Sequence, residues 1–440
     1  MTSQPKIVDA SVFSPLPIGA RDLLPLELRR RRALTTTLLD RFERWGYREI
    51  APALIEYFEV LGRGLGPSDR ERCVRFIEAG EAGTGELVAL RSDVTPQIAR
   101  MVAQRVGGTV APDESLRLSY AATALRLPKG RHDRAELHQV GVEFVGEAGP
   151  EADAELIGLA DAALVGLGCA EFRIDLSHSR IVADALAHLE VGPSEAERLR
   201  ARLARKDLAG VEQALADAGV EGQAAATFAS LAVLHGPPGL LVEHRESLAA
   251  IGAGPAVDQL QAIVEVIERE HPGAYQRLLI DLGETRGFDY YTGMRVRLWA
   301  PGVGTPVVRG GRYDDLVARY GADLPATGLA IDLDALEIAL AAAGAVVEGE
   351  ALAPARLIAL AAEPGHAIEA EQRRVAVEQT HSARDEGLRA WVERFASLDQ
   401  AQRQATRREA SQLCWLRVQD QAVLVERWRD TDTGWQRESE

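Results

Sequence analysis

Two short stretches of the chain bring acidic and amide side chains to positions where they could act together. In His138-Gln-Val-Gly-Val-Glu143 the residues alternate, and a strand of that pattern carries Gln139 and Glu143 on the same face. In Leu90-Arg-Ser-Asp-Val-Thr-Pro96 the even spacing predicts that Asp93 and Thr95 also share a face. A carboxylate can hold an ammonium group, and other donors can hold a carboxylate, so such a set suits a free amino acid. Taken singly, Asp93 or Glu143 reads more readily as a surface carboxylate or a helix cap, and only their order along the chain favours a ligand.

Other chemistries find little support. Gly62-Arg-Gly-Leu-Gly66 has the wrong spacing for a phosphate-cradling loop, and no Lys-Ser/Thr follows it. Cys73, Cys169 and Cys414 are scattered without a Cys-x-x-Cys pair, which argues against a zinc site or a disulfide framework and fits a reducing compartment. The net charge of −16, from 66 acidic and 50 basic residues, discourages unspecific binding to nucleic acid. The opening stretch, residues 1–13, has no basic segment followed by an apolar run. Nowhere do roughly 18 apolar residues follow one another. The expectation is a soluble cytoplasmic protein with no signal peptide, no membrane span, no metal and no cofactor.

The elements that must position these residues can be read from periodicity. Leu34, Leu38, Phe42 and Trp45 recur on one side of a helix from Pro25 to Trp45, closed by Gly46. Tyr47 to Pro52 reads as a short strand ended by proline, and strands are expected at 87–91, 115–120, 138–145, 171–177, 277–282, 293–299 and 306–310. Several are joined by turns rather than helices. This predicts an α+β fold on an antiparallel sheet flanked by helices, not a doubly wound parallel sheet. Residues 190–275, rich in Ala, Leu, Glu and Arg and broken by Gly236-Pro-Pro-Gly239, read as a helical insertion within a core spanning 1–345. After Ala341-Ala-Ala-Gly-Ala345, alternating strands and helices predict a small C-terminal α/β domain over 346–440.

Five blocks in order resemble the histidyl-tRNA synthetase family. They are Pro17-Ile-Gly-Ala-Arg-Asp-Leu-Leu-Pro25, Gly46-Tyr-Arg-Glu-Ile-Ala-Pro52 and Leu90-Arg-Ser-Asp-Val-Thr-Pro96, then the stretch from Leu125-Arg126 to Glu143. The fifth is Arg286-Gly-Phe-Asp-Tyr-Tyr-Thr-Gly293 with Gly310-Gly-Arg-Tyr-Asp-Asp315 and Gly328-Leu-Ala-Ile-Asp-Leu-Asp334. The resemblance implies the class II aminoacyl-tRNA synthetase core, with Pro52 of motif 1 and the Pro25–Trp45 helix at a dimer interface. It implies a histidine pocket in which Asp93, Thr95, Gln139 and Glu143 hold the amino end, Arg126 lies near the carboxylate, Arg286 lies close to the histidine, and Tyr290 and Tyr291 line the ring end. Because the two tyrosines alternate, only one is expected to face the pocket. Both ring nitrogens of histidine need polar partners, since burying them unpaired is costly.

The same resemblance exposes what is missing. The family has glutamate two positions after Arg126, where this chain has Pro128, and the next acid is Asp133. Where motif 3 ends in arginine this chain has Ala335, and Asp332 and Asp334 are expected to repel phosphates. The C-terminal stretch resembles an anticodon-binding module only weakly, and from Ala351 to Glu440 it carries 13 arginines, no lysine and 15 acids, unlike an RNA-reading surface, so tRNA is not the expected partner. This profile resembles the regulatory subunits of ATP phosphoribosyltransferase, non-catalytic paralogues of the histidine enzyme. The resemblance implies three associations: a short-form catalytic subunit that this chain activates, histidine as the inhibitory effector, and a second copy of itself. The alternative, an active histidine–tRNA ligase, rests on Arg286, and a synthetase-like binding protein with another partner is a third reading.

Overall fold

The computed structural model describes residues 16–78, 85–106, 115–130, 133–286, 289–345, 353–362, 366–420 and 422–438. The reading of residues 1–13, the Gly287-Phe288 pair and the expected boundary after residue 345 fall outside them. The chain divides into two compact units, Met1–Glu348 and Gly349–Glu440.

In the first unit the strands are β1 (Arg48–Glu49), β2 (Ile55–Tyr57), β3 (Arg75–Ile77), β4 (Leu87–Leu90), β5 (Leu116–Leu125) and β6 (Glu136–Val145). After them come β7 (Arg173–His178), β8 (His235–Gly236), β9 (Leu278–Asp281), β10 (Met294–Trp299), β11 (Val308–Arg312) and β12 (Ala326–Asp332). Nine form one sheet in the order β1-β5-β6-β12-β11-β10-β7-β9-β8, and β2-β4-β3 form a second, small sheet. From β5 to β7 every neighbour is antiparallel, as the turn-rich connections predict. The edges depart from that expectation, because β1 joins β5 and β7 joins β9 in parallel.

Alternation sorts these strands into two chemically different faces. Val140, Val142, Leu176, Val296, Leu298, Val308, Leu329 and Ile331 point to one side and are buried in the main core. Helices Pro25–Arg44, Pro150–Gly166 and Gly254–Glu270 cover that side, contributing Leu34, Leu38, Phe42, Leu156, Ile157, Leu260 and Ile263. Each such side chain gains about 1.5–3 kcal/mol from leaving water. The other face carries Tyr120, Gln139, Glu143, Arg295, Arg297, Arg309 and Asp332. The segment 190–275 is mostly helical, with helices Pro193–Leu203, Leu208–Asp217, Gly222–Ser230, Leu240–Ala249 and Gly254–Glu270, and only β8 within it joins the sheet.

The Pro25–Arg44 helix forms where the apolar period places it, but its buried face is not left for a partner. Leu34, Leu38 and Phe42 are covered by the chain's own core. Arg31, nearly buried on the same helix, is held by Asp334 and Glu337.

In the second unit, strands β13 (Ala355–Ala361), β14 (Arg389–Phe395), β15 (Gln412–Gln419), β16 (Ala422–Thr431) and β17 (Gly434–Arg437) pair in the order β14-β13-β15-β16-β17. Ala401 and Ala405 of helix Leu398–Arg407 pack with Leu357, Leu413 and Trp415 on one face. Ala376 of helix His366–Asp385 packs with Ile358, Cys414 and Leu416 on the other.

Candidate functional site

Strand register decides which residues meet on the polar face. One row across the sheet runs Leu118, Glu143, Gly328, Gly311, Arg295, and the next runs Tyr120, Gly141, Ala330, Arg309, Arg297. The middle of each row is glycine or alanine, so a low floor lies between ends that carry long polar side chains. The floor must be bare: a Cβ on Gly141 would come within 2.5 Å of the Tyr120 ring, and one on Gly311 within 2.8 Å of Tyr291. Over this floor opens a cavity of about 530 Å³. Pockets of ~300–1,000 Å³ commonly accept small-molecule ligands.

Asp93, Thr95, Tyr120, Tyr290 and Tyr313 line one end of it, while Gln139, in register with Asp332 rather than beside Glu143, lies apart from the amino-end set expected for it. Asp93 and Thr95 are not on a strand, as their spacing suggested. They lie past β4, where Thr95 begins the helix Thr95–Met101 and the Asp93 carboxylate accepts the Thr95 N–H at 3.3 Å. Pro96 sits in the first turn of that helix, a position that suits its missing N–H. The second Asp93 oxygen accepts the Tyr290 hydroxyl at 2.9 Å and lies 4.0 Å from Arg126 Nη2. Arg126 Nε donates to the Ser92 carbonyl at 2.6 Å, which fixes the arginine at the wall.

Glu143 is set one layer deeper than the wall. It accepts the Thr95 hydroxyl at 2.8 Å and the Tyr313 hydroxyl on its other oxygen, and it is 1% exposed. Burial pushes its carboxyl up to about 8, against the two hydrogen bonds, and the nearby Asp93 charge adds to the rise. Asp93 is also raised by burial, although Arg126 and Tyr290 oppose this. Two carboxylates in a dry corner, one largely protonated at neutral pH, form an environment that a cation would relieve.

Tyr290 and Tyr291 both border the cavity, and Tyr290 is at the same time buried in a core cluster with Tyr120, Tyr313 and Leu316, so pocket and core are not as cleanly divided between them as expected. They lie in a turn rather than a strand, so alternation does not separate them. Their ring centroids are 5.0 Å apart in an edge arrangement, and Tyr290 packs edge-on against Tyr313 at 5.9 Å. Arg286 lines the cavity too, yet its guanidinium is engaged by Glu284 at 3.0 and 3.2 Å. Burial alone would raise Glu284, but hydrogen bonds from Arg286 and Arg297 hold it down to about 2.

The far side of the cavity shows how the residues at the positions of the phosphate and adenine contacts are used. Asp133 is bound by Arg72 at 2.5 Å and accepts the Lys129 N–H at 3.0 Å. Ala335 is buried in the first turn of helix Leu333–Ala342, which Asp332 caps by accepting the Ala335 N–H at 3.1 Å. The expectation that Asp332 and Asp334 repel phosphates is corrected here. Arg134 bridges both carboxylates, and Arg31 and Arg21 also bind Asp334. Burial would raise Asp334, yet these arginines hold it below the usual carboxylate range.

The histidyl-tRNA synthetase family profile matches residues 19–336. The ATP phosphoribosyltransferase regulatory subunit of Syntrophotalea carbinolica is 35% identical over 373 residues, covering 84% of this chain and 83% of that one. The protein of the same name from Desulfitobacterium hafniense is 37% identical and covers 73% and 80%. The chain belongs to the ATP phosphoribosyltransferase regulatory subunit family. The fold of this family is shared with the synthetase. A solved structure from Bacillus halodurans, described as an ATP phosphoribosyltransferase regulatory subunit/histidyl-tRNA synthetase, superposes with a TM-score of 0.73 at 25% identity, over 89% of this chain and 96% of that one. The regulatory-subunit fold is thus the class II synthetase core, with its large sheet flanked by helices and a C-terminal sheet unit.

Sequence reasoning missed Tyr120, Tyr313, Arg134, Arg295, Arg297 and Arg309, all of which line the cavity. Tyr313 lies inside the Gly-Gly-Arg-Tyr-Asp string, which was a signal of position but not of role. Among the described residues no cluster of metal-ligating side chains occurs, and no helix is long and apolar enough to cross a membrane.

Glu143 makes the stability of the ligand-free protein depend on pH. A carboxyl titrating near 8 when folded, and near ~4.3 when unfolded, keeps its proton only in the folded state between those values. Stability should therefore be fullest below about pH 4–5, as far as this group is concerned, and fall as pH rises towards 8. The steepest slope is ~1.4 kcal/mol per pH unit. Glu143→Gln, which resembles the protonated carboxyl, should lack this component. Urea denaturation of both proteins from pH 5 to 9 measures it, and parallel curves would show that Glu143 is ionised throughout.

Proposed function

We propose that this chain is a non-catalytic regulatory subunit that binds histidine in the sheet-floor cavity and controls a short-form ATP phosphoribosyltransferase catalytic subunit, the first enzyme of histidine biosynthesis. One observation carries the reading: Asp93 and Glu143 are buried beside Thr95, a set suited to an ammonium group, while Ala335 stands where the ligase needs an arginine. In this reading Asp93 meets the histidine ammonium, with Glu143 supporting Thr95 and Tyr313. Arg126 and Gln139 take the carboxylate end, and Tyr290, Tyr291 and Arg286 surround the ring. No cofactor or metal is needed.

Binding energy that drives no chemistry can bias a conformational equilibrium, provided histidine prefers one state of the complex. A coupling of about 1–3 kcal/mol is typical. A cytoplasmic homodimer core completes the proposal. Its support is motif 1 together with the exposed Leu54, Ile55, Tyr57, Ile77 and Leu87 on and beside the small sheet, since the Leu34, Leu38 and Phe42 face of the Pro25–Arg44 helix is already covered. Residues 346–440 are proposed to contact protein rather than tRNA.

The test is phosphoribosyl-ATP production by a short-form catalytic subunit. Adding this chain, sized as a dimer by light scattering, should raise the rate, and histidine should then lower it. No activation at saturating chain would overturn the proposal. The alternative of an active histidine–tRNA ligase draws on Arg286 and Arg126, and histidylation of tRNA by the chain alone would favour it.

A further inference from the structure

Between β9 and the cavity the chain runs through residues 281–286, of which 284–286 belong to no helix or strand. The helical insertion, residues 190–275, holds this stretch in place. Lys206 Nζ donates to the buried Asp281 carboxylate at 2.5 Å, and the same oxygen accepts the Gly283 N–H at 3.1 Å. The Leu282 N–H donates to the Leu234 carbonyl at 3.1 Å, and the Thr285 hydroxyl to the Arg200 carbonyl at 3.0 Å. Gly283 lies so close to the insertion that a Cβ there would stand 2.0 Å from the Leu231 carbonyl oxygen. Lys206 has a φ of 57°, a left-handed conformation that a non-glycine residue keeps only where its surroundings dictate it. The other groups of the same stretch face the cavity. Glu284, nearly buried, accepts the Arg286 N–H and guanidinium and also Arg297, which in turn donates to the Arg286 carbonyl. Arg286 and Arg297 line the cavity, and Tyr290 and Tyr291 follow a few residues on.

We propose that residues 281–286 are a strap coupling the helical insertion to the cavity, with Lys206 and Thr285 as the positioning residues through which the insertion responds to a bound ligand. This rests on the reading of the cavity as a histidine site and adds the element that answers to occupancy. A ligand that engages Arg286 or packs on Tyr291 narrows the positions open to the strap, and so favours the insertion in its docked place. A docked insertion, in turn, holds Arg286 where the ligand meets it. Glu284 relays the effect, because its carboxylate is shared between Arg286 and Arg297 and cannot follow one without disturbing the other. The two directions are one coupling free energy seen from either end, so ligand and docking must strengthen each other by the same factor.

The experiment is hydrogen–deuterium exchange of the full chain with and without saturating histidine, with calorimetry reporting binding. In the wild type, histidine should slow exchange at residues 231–235 and in helix Pro193–Leu203 by roughly 5–150-fold, the usual span of a coupling between two sites. Helix Leu398–Arg407 of the second unit is the internal reference and should change less. Lys206→Met should abolish the slowing in the insertion and weaken histidine by the same factor, while histidine still protects helix Thr95–Met101. Lys206→Arg, which keeps the charge, should restore part of both. Thr285→Val, which trades only the hydroxyl, carries the same test if Lys206→Met does not fold. A clasp that merely fastens the insertion would, when cut, quicken exchange there and leave the histidine-dependent slowing intact, and that result would overturn the strap. So would a wild-type insertion whose exchange histidine leaves unchanged while calorimetry shows binding. No histidine heat in the wild type would instead remove the cavity reading, and the strap's ligand with it.

Discussion

Histidine-dependent ATP–pyrophosphate exchange by the purified chain is expected to fall at least roughly a hundredfold below that of a histidine–tRNA ligase. Adenylation gathers negative charge on the phosphates in the transition state, and a single preorganised donor lost from such a centre costs about 2.7–4 kcal/mol. Two contacts are missing here. Ala335 is buried in a helix turn and offers no cation, and Pro128 replaces the glutamate of motif 2. Asp133, the nearest substitute acid, is committed to Arg72. The arginines that remain can bind an anion without aligning it for attack by a carboxylate, and binding equally well before and during reaction does not raise turnover. The assay is radiolabelled pyrophosphate incorporation into ATP with saturating histidine. Exchange within a hundredfold of a ligase would return the chain to the catalytic branch of its fold.

The second large effect is expected at Asp93. Its carboxylate lies at the cavity wall, is 6% exposed, and is oriented by the Thr95 N–H and the Tyr290 hydroxyl. Asp93→Asn keeps the shape and an acceptor for Thr95, so the helix start survives. A ligand ammonium would lose its charged partner in a desolvated corner. Such losses cost about 2–5 kcal/mol, roughly thirty- to several-thousand-fold in affinity. The histidine inhibition curve of the complex should move right by that factor while activation of the catalytic subunit stays intact. Unchanged inhibition would place the effector site elsewhere. Loss of activation as well would mean that Asp93 supports the fold more than the ligand.

The parts of the fold legible in the sequence were those governed by period. Alternation placed Gln139 and Glu143 on one face of β6 and matched the strands around them. Alternation gives a face but not a depth, so it could not tell that Glu143 lies behind Thr95 and Tyr313. It also misleads where the backbone turns. Asp93 and Thr95 flank a helix start, which Pro96 signalled, and Tyr290 and Tyr291 share a turn. The row of arginines at the cavity wall was illegible for another reason. Arg297 and Arg309 meet only through the register of β10 on β11, and register is a tertiary choice. The cover on the Pro25–Arg44 helix was hidden likewise: an apolar stripe shows the need for a partner without showing that the same chain supplies it.

The two-faced sheet bears on how such a protein can arise. Val140, Val142, Leu329 and Ile331 hold the core from one side, and the polar side chains that line the cavity project from the other. Substitutions that share no partners contribute to stability nearly independently. Catalytic groups can therefore be shed from the open face one at a time by drift, each loss leaving a foldable intermediate, while the hidden face stays under selection for packing alone. A lineage with this architecture can abandon a reaction long before it risks its structure, and the bared surface is then available for a new role.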